Sequence, residues 1–190
     1  MKLGVMGGSF DPIHLGHLRA AESARAELGL ERIVFVPART PPHREPPVAL
    51  AWDRFAMVAL ATAGHNAFVV SEIELQRDGP SYTIDTVAAL REHAGEDPVL
   101  IVGADSFGEM GSWKDAERLL AICSVAVVPR PGRPAGRAPG AAIGRTRFLE
   151  GPALPISSTE IRRRVAERRS IYYLVPAAVA EYVDKRGLYR

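Results

Sequence analysis

The stretch LGVMGGSFDPIHLGHLRAAESARAELG, residues 3–29, holds one strand, one helix and the chemistry at their joint. Leu3–Met6 is a short, continuous apolar run that ends in Gly7-Gly8. From Leu15 onward, Leu15, Leu18, Ala21, Ala24, Ala26 and Leu28 roughly follow helical spacing, and Gly29 stands where a helix ends in a left-handed residue. Apolar runs that do not alternate are expected of strands covered on both faces, as in a parallel sheet. Ile33–Val36, Phe68–Val70, Val99–Val102 and Val125–Val128 repeat the pattern, and Arg147–Leu149 is a candidate sixth strand. Helices are expected near 15–28, 52–63, 84–93, 114–122, 158–169 and 176–186. Strand and helix alternating throughout predict right-handed βαβ units: an α/β, doubly wound, mainly parallel sheet of five to six strands with helices on both faces. Ligands in such sheets bind at the carboxyl ends of the strands, near the switch in strand order.

Composition agrees with a globular chain. Of 190 residues, 47% are hydrophobic and 24% charged, too apolar for disorder. One domain over 1–190 is expected, burying roughly 70% of the unfolded surface without staples. The single cysteine, Cys123, excludes an internal disulfide and a cysteine-rich zinc site, favours a reducing compartment, and reads as inert core. No apolar run approaches the ~20 residues of a membrane span, and the first strand turns into Gly7-Gly8 too soon for a signal peptide. A soluble, cytoplasmic protein is expected, with no membrane partner. The net charge of +2 hides a polarity: residues 130–169 carry ten arginines against three glutamates, a local +7, and the remainder is −5. The Arg-rich composition itself is also what genomic base bias produces. Pro129–Arg145 has four Pro, four Gly and four Arg without periodicity, so a loop is expected, either mobile or a basic flap over an anionic ligand.

Two motifs carry chemistry. In Gly7-Gly8-Ser9-Phe10-Asp11-Pro12-Ile13-His14-Leu15-Gly16-His17, the glycines let backbone N–H groups approach an anion, and a helix start adds N–H groups and a positive dipole end. His14 and His17, at i and i+3, project from one face of the first turn and can donate to phosphate oxygens. Asp11-Pro12 shapes the turn, and Gly16 leaves room for a ligand between the histidines. A metal site or plain capping histidines are the alternatives; no third histidine ligand is evident nearby. Neither a Walker loop nor a GxGxxG is present. Far along the chain, Ile156-Ser157-Ser158-Thr159-Glu160-Ile161-Arg162 holds a capping box, Ser157-x-x-Glu160, that starts a second helix. Its extra hydroxyls and Arg162 make it a second phosphate-binding helix start. Two such starts facing each other suit a triphosphate.

These two strings together resemble the nucleotidyltransferase superfamily with the HxGH signature. Further segments are similar to one branch, the bacterial nicotinate-nucleotide adenylyltransferases: Val36-Pro37, Pro41-Pro42-His43-Arg44, Pro80-Ser81-Tyr82-Thr83-Ile84-Asp85-Thr86, Gly103-Ala104-Asp105-Ser106, Trp113-Lys114, Val128-Pro129-Arg130-Pro131-Gly132, and the tail from Leu174-Val175-Pro176 to Gly187-Leu188-Tyr189. The likeness spans essentially the whole chain, in order. It implies a Rossmann-like fold whose helical part, 157–190, completes the ATP site. It also implies adenylyl transfer from ATP to nicotinate mononucleotide, giving nicotinate adenine dinucleotide and pyrophosphate. One departure is Tyr172-Tyr173, where similar sequences often carry a basic residue.

The resemblance implies His14, His17 and Arg162 as catalytic, with no general base, because the attacking phosphate is already ionised. Gly7, Gly8, Ser9, Phe10, Gly16, Gly103, Asp105, Ile156, Ser157, Ser158 and Thr159 would bind ATP, with Asp105 on the ribose. His43, Arg44, Tyr82, Thr83, Trp113 and Arg130 would hold the mononucleotide. Ser81-Tyr82-Thr83 before a helix supplies N–H groups, a hydroxyl and a dipole for a carboxylate, and Trp113 a face for the pyridinium. Mg²⁺ is expected through the ATP phosphates, with no dedicated protein metal site. A homo-oligomer is compatible with the sequence. Other acceptors, nicotinamide mononucleotide or pantetheine phosphate, keep the same chemistry. A non-catalytic nucleotide or nucleic-acid binder is the alternative class, although 130–169 offers only Phe148 as an interleaved aromatic, so no nucleic-acid partner is expected.

Overall fold

A computed structural model describes residues 1–42, 45–129, 144–151 and 154–190. Six parallel strands form one sheet: β1 (Leu3–Gly8), β2 (Arg32–Pro37), β3 (Phe68–Val70), β4 (Val99–Gly103), β5 (Ser124–Val128) and β6 (Thr146–Phe148), in the order β3-β2-β1-β4-β5-β6. The helices are α1 (Leu15–Leu28), α2 (Ala51–Thr62), α3 (Thr83–Ala94), α4 (Ala104–Glu109), α5 (Ala116–Ile122), α6 (Ser158–Ala166) and α7 (Ala177–Arg186), with a 3₁₀ turn at Met110–Ser112.

The strands lack alternation because the sheet has a core on each side. Met6, Ile33, Phe35, Ile101 and Ala126 face one cluster, with Ala21 and Ala24 of α1, Met57 and Val58 of α2, Ile161 of α6 and Val179 of α7. The intervening residues Val5, Val34, Val36, Leu100, Val102, Val125 and Val127 face the other, with Ile84 and Val87 of α3, Phe107 of α4, and Leu119 and Leu120 of α5. The central residues of β1, β2, β4 and β5 therefore find apolar cover whichever way they point. Cys123 is buried, donates to the Leu119 carbonyl at 3.2 Å, and has its thiol pushed up to about 12 by burial, as an inert core residue should.

Local differences from the sequence reading have local causes. Gly29 ends α1 at φ 61° and donates to the Arg25 carbonyl, as its position implied. Helix α6 stops at Ala166, three residues before the expected end, because Arg168 is left-handed at φ 55°. α5 begins at Ala116 rather than 114, behind left-handed Asp115. Helix α4 and the 3₁₀ turn were not foreseen, being too short to show a period of 3.6. His43, Arg44, Arg130 and most of the loop 129–145 lie outside the described residues.

The register determines where the chemistry collects. Gly8 pairs with Pro37, Gly103 with Val128, and β1 with β4 from Gly4 opposite Val99, so four strands end in one row. The order reverses between β1 and β4: β1 leads to α1 on one face, β4 to α4 on the other. That crevice is the topological switch point.

Candidate active site

Both glycine-bearing segments end at the switch point, Gly7-Gly8 on β1 and Gly103 on β4. A Cβ at Gly7 or Gly103 would meet nothing within 4 Å, so both backbones face open space. The loop after β1 is anchored from below. Phe10, with φ 48°, is only 3% exposed and packs edge-on to His17 at 5.2 Å, while its ring fills the space a Cβ at Gly8 would need. Phe10 can therefore present only its backbone to a ligand.

His14 caps α1 with extended dihedrals, and its ring stacks on His17 at 3.7 Å. The stack is what Gly16 permits, because a Cβ there would lie 2.9 Å from His14 Nδ1. The expected room between the histidines is thus filled by His14 itself. The His14 N–H donates to His17 Nδ1 at 3.3 Å, which puts the His17 proton on Nε2. Burial first, and His14 second, hold the His17 imidazole well below its usual range. It is neutral at pH 7, a hydrogen-bond donor that an arriving anion would shift toward the charged form. The N–H groups of α1 contribute less than expected: Leu15 donates to Leu174 O at 2.9 Å and His17 to His14 O at 2.9 Å. The imidazoles, more than the helix end, are what this motif offers a phosphate.

The second motif docks directly on the first. Ser158 Oγ donates to Pro12 O at 2.9 Å, and Arg162 Nη1 donates to Asp11 O at 2.7 Å. These contacts bridge 146 and 151 residues of chain. Ser157 caps α6 by accepting the Glu160 N–H at 3.2 Å, one half of a capping box. The Glu160 carboxylate does not reach back; it pairs with Arg163 and Arg164, and Glu167 pairs with Arg163 and Arg169. Arg163, Arg164 and Arg169 are therefore paired with glutamates beside the site, and Arg162 is the α6 arginine aimed at it. The Ser158 hydroxyl is committed to Pro12, which leaves Thr159, exposed and 3.5 Å from Arg162 Nη2, as the outward hydroxyl.

Asp11, which the sequence marks only as shaping the turn, and Arg54, which it does not mark, hold this arrangement. The carboxylate of Asp11, 5% exposed, accepts the Val48 N–H (2.8 Å), the Ala49 N–H (3.1 Å) and the Tyr189 hydroxyl (2.7 Å), and lies 3.8 Å from Arg162. Arg54, 1% exposed, donates from inside α2 to Ser9 O at 2.6 Å and Ala49 O at 3.1 Å. Its burial opposes its charge, and Asp11 is the first group that offsets this. In addition, α7 is clamped to α2 by Tyr182 and Arg186 on Asp53, at 2.8 and 3.2 Å.

On the other face, Tyr82 caps α3, whose first residue is Thr83. Lys114 Nζ lies 4.3 Å over the Tyr82 ring and 3.3 Å from Asp85, bringing Trp113 beside the start of α3. Tyr82 and Trp113 are partly buried against the same cluster. Asp105 lies in the first turn of α4, just beyond Gly103. Tyr172 and Tyr173 are exposed, and the turn they belong to serves α1 through Leu174 O. Among the described residues, no group of three His, Cys, Asp or Glu is placed to hold a metal ion.

A family model described as Cytidylyltransferase-like matches residues 5–164. A Thermus thermophilus protein named probable nicotinate-nucleotide adenylyltransferase is 48% identical over 191 residues, covering all of both chains. A relative of the same name from Moorella thermoacetica is 46% identical, covering all of this chain and 92% of its own. The solved Plasmodium falciparum nicotinic acid mononucleotide adenylyltransferase complexed with NaAD has a similar fold, with TM-score 0.80, 18% identity, and 99% and 97% of the two chains covered.

Two outcomes follow from these contacts. Both Asp11 oxygens accept N–H or O–H groups, so the amide of Asp11→Asn must point a donor at a donor; unfolding in urea should show a loss of about 2–4 kcal/mol, and a loss under about 0.5 kcal/mol would contradict the anchor. Folded His17 stays neutral where an unfolded histidine takes a proton near pH 6.5, so its contribution to stability is full above that pH and lost as pH falls toward the folded value. The stability of wild type relative to His17→Asn should therefore fall by up to about 1.4 kcal/mol per pH unit from pH 6.5 downward; a difference that stays constant from pH 7.5 to 5 would contradict the neutral imidazole.

Proposed function

We propose that this chain, which belongs to the nicotinate-nucleotide adenylyltransferases of the cytidylyltransferase-like family, transfers the adenylyl group of ATP to nicotinate mononucleotide in NAD biosynthesis. The products are nicotinate adenine dinucleotide and pyrophosphate. The observation that carries the reading is the union of the two phosphate-binding motifs, Arg162 and Ser158 docked on Asp11 and Pro12, at the switch point.

An oxygen of the mononucleotide phosphate attacks the α-phosphorus of ATP, and the bond from that phosphorus to the bridging oxygen breaks, releasing pyrophosphate. The nucleophile is already an anion, so the site needs donors rather than a base. His17 Nε2–H and His14 meet charge on the transferred phosphoryl group. Gly7, Gly8 and the backbone of Ser9 and Phe10 border it, and Arg162, Thr159 and the start of α6 at Ile156-Ser157-Ser158 take the outer phosphates. Gly103 and Asp105 face the ribose.

On the acceptor side, the start of α3 at Tyr82-Thr83 meets the nicotinate carboxylate, and Trp113 stacks on the ring. His43, Arg44 and Arg130 are proposed for the mononucleotide phosphate. Enzymes of this kind generally use a divalent cation with ATP, and Mg²⁺ is the ion proposed here. The donors at the two helix starts are imidazoles, hydroxyls and a guanidinium, which suit phosphate oxygens better than a hard cation, so the ion would ride on the triphosphate. When bound there it neutralises phosphate charge. A cytoplasmic location goes with this substrate pair.

Pyrophosphate release with ATP and Mg²⁺ tests the reading against a panel of acceptors. Nicotinate mononucleotide should give the highest kcat/KM, by tenfold or more over nicotinamide mononucleotide and pantetheine phosphate; equal or faster turnover with either would overturn the assignment.

A further inference from the structure

One buried carboxyl lies outside the machinery described above. Glu74 sits in the turn after β3, 6% exposed, behind the start of α3. The Thr86 hydroxyl, itself 2% exposed, donates to Glu74 Oε1 at 2.6 Å. Arg77 Nη1 donates to the same Thr86 oxygen at 3.1 Å, and Nη2 to the Asp85 carbonyl at 3.2 Å. Close by, the Ser81 hydroxyl oxygen accepts the N–H groups of Arg39 at 3.0 Å and Thr40 at 3.3 Å. The Ser81 N–H completes the stitch by donating to Thr40 O at 2.9 Å.

This network answers what the Ser81 hydroxyl does. It accepts from Arg39 and Thr40, within the protein, and the ligand-facing role expected of it falls to the neighbouring backbone. Ser81 joins the exit of β2 at Arg39–Thr40 to the residues just before α3, and Glu74 joins the turn after β3 to the first turn of α3. Burial raises the Glu74 carboxyl above its usual range, opposed by Thr86, Ser81 and Arg77. A group so costly to bury is held in place by what it organises.

We propose that Glu74 is a positioning residue for acceptor recognition: through Thr86 it fixes the N-terminal turn of α3 against the turn after β3, setting the geometry that rewards a nicotinate carboxylate. This rests on the reading of α3 as the acceptor subsite. It assigns discrimination between acceptors to a side chain that touches no substrate, and it separates acceptor binding from ATP binding, which the Asp11 anchor serves on the opposite face of the sheet.

The test is steady-state kinetics on Glu74→Gln, Thr86→Val and Thr86→Ser in the full-length protein. Gln replaces the charged acceptor of the Thr86 hydroxyl with a neutral amide, Val removes the donor at constant shape, and Ser retains it. Glu74→Gln and Thr86→Val should raise KM for nicotinate mononucleotide about tenfold and shrink the preference over nicotinamide mononucleotide. KM for ATP should stay within about twofold, and Thr86→Ser should behave like wild type. A proportional change in both KM values, or a fall in kcat with acceptor KM and preference unchanged, would overturn the proposal. Should Glu74→Gln not fold, the Thr86 pair decides alone. Wild type assayed alongside keeps the two ideas apart: if it shows no preference for the nicotinate acceptor, the functional reading fails, whereas a preferring wild type with unaltered variants sinks only the role of Glu74.

Discussion

The buried carboxylate of Asp11 is the interaction on which the rest of the active site depends. A loop that must cradle a polyanion cannot be held by apolar packing alone, because its backbone has to stay accessible on the ligand side. Asp11 solves this from beneath. It accepts from Val48, Ala49 and Tyr189 and neighbours Arg162, so one side chain ties the β1 loop to the entry of α2, the start of α6 and the end of the chain. Hydrogen bonds to a buried charge contribute about 1.5–3 kcal/mol each, and leaving the charge unpartnered costs more. Arg54, buried alongside, supplies the compensating charge and pins the Ser9 carbonyl from the same side.

With the loop fixed, the sheet does the remaining positioning. Parallel strands in register bring Pro37, Gly8, Gly103 and Val128 to one edge, and the reversal of strand order at β1 and β4 opens a crevice there. Helices that follow these strands start at that edge. The chemistry needs no nucleophile or base built by the protein, since both partners in the reaction are phosphates. Catalysis then reduces to placing donors where charge develops. A neutral His17 with its proton on Nε2 fits that demand: it donates without the cost of a buried cation, and gains charge only when a phosphate is there to stabilise it.

Much of this was legible in the sequence because the sheet is covered on both faces. Continuous apolar runs such as Ile33–Val36 mark buried parallel strands, and Phe68–Val70 was located to the residue. His14, His17 and Arg162 were visible through their motifs. What stayed hidden was long-range or too short to be periodic. The bond from Tyr189 to Asp11 spans 178 residues and leaves no local trace. Arg54 reads as a charge on an amphipathic helix, and nothing nearby signals that it is turned inward to Ser9. Helix α4 has six residues, fewer than two turns. The glutamate of the Ser157 capping box was drawn to Arg163 and Arg164 instead, a competition that sequence spacing cannot rank.

The central claim is that motifs about 150 residues apart act as one phosphate site. A double-mutant cycle on kcat/KM for adenylyl transfer, with His17→Ala, Arg162→Ala and the double variant, measures this directly. If both side chains stabilise one developing charge, the double variant should lose less than the two single losses combined, by at least about 1 kcal/mol. Full additivity would contradict the account and leave two independent sites in its place.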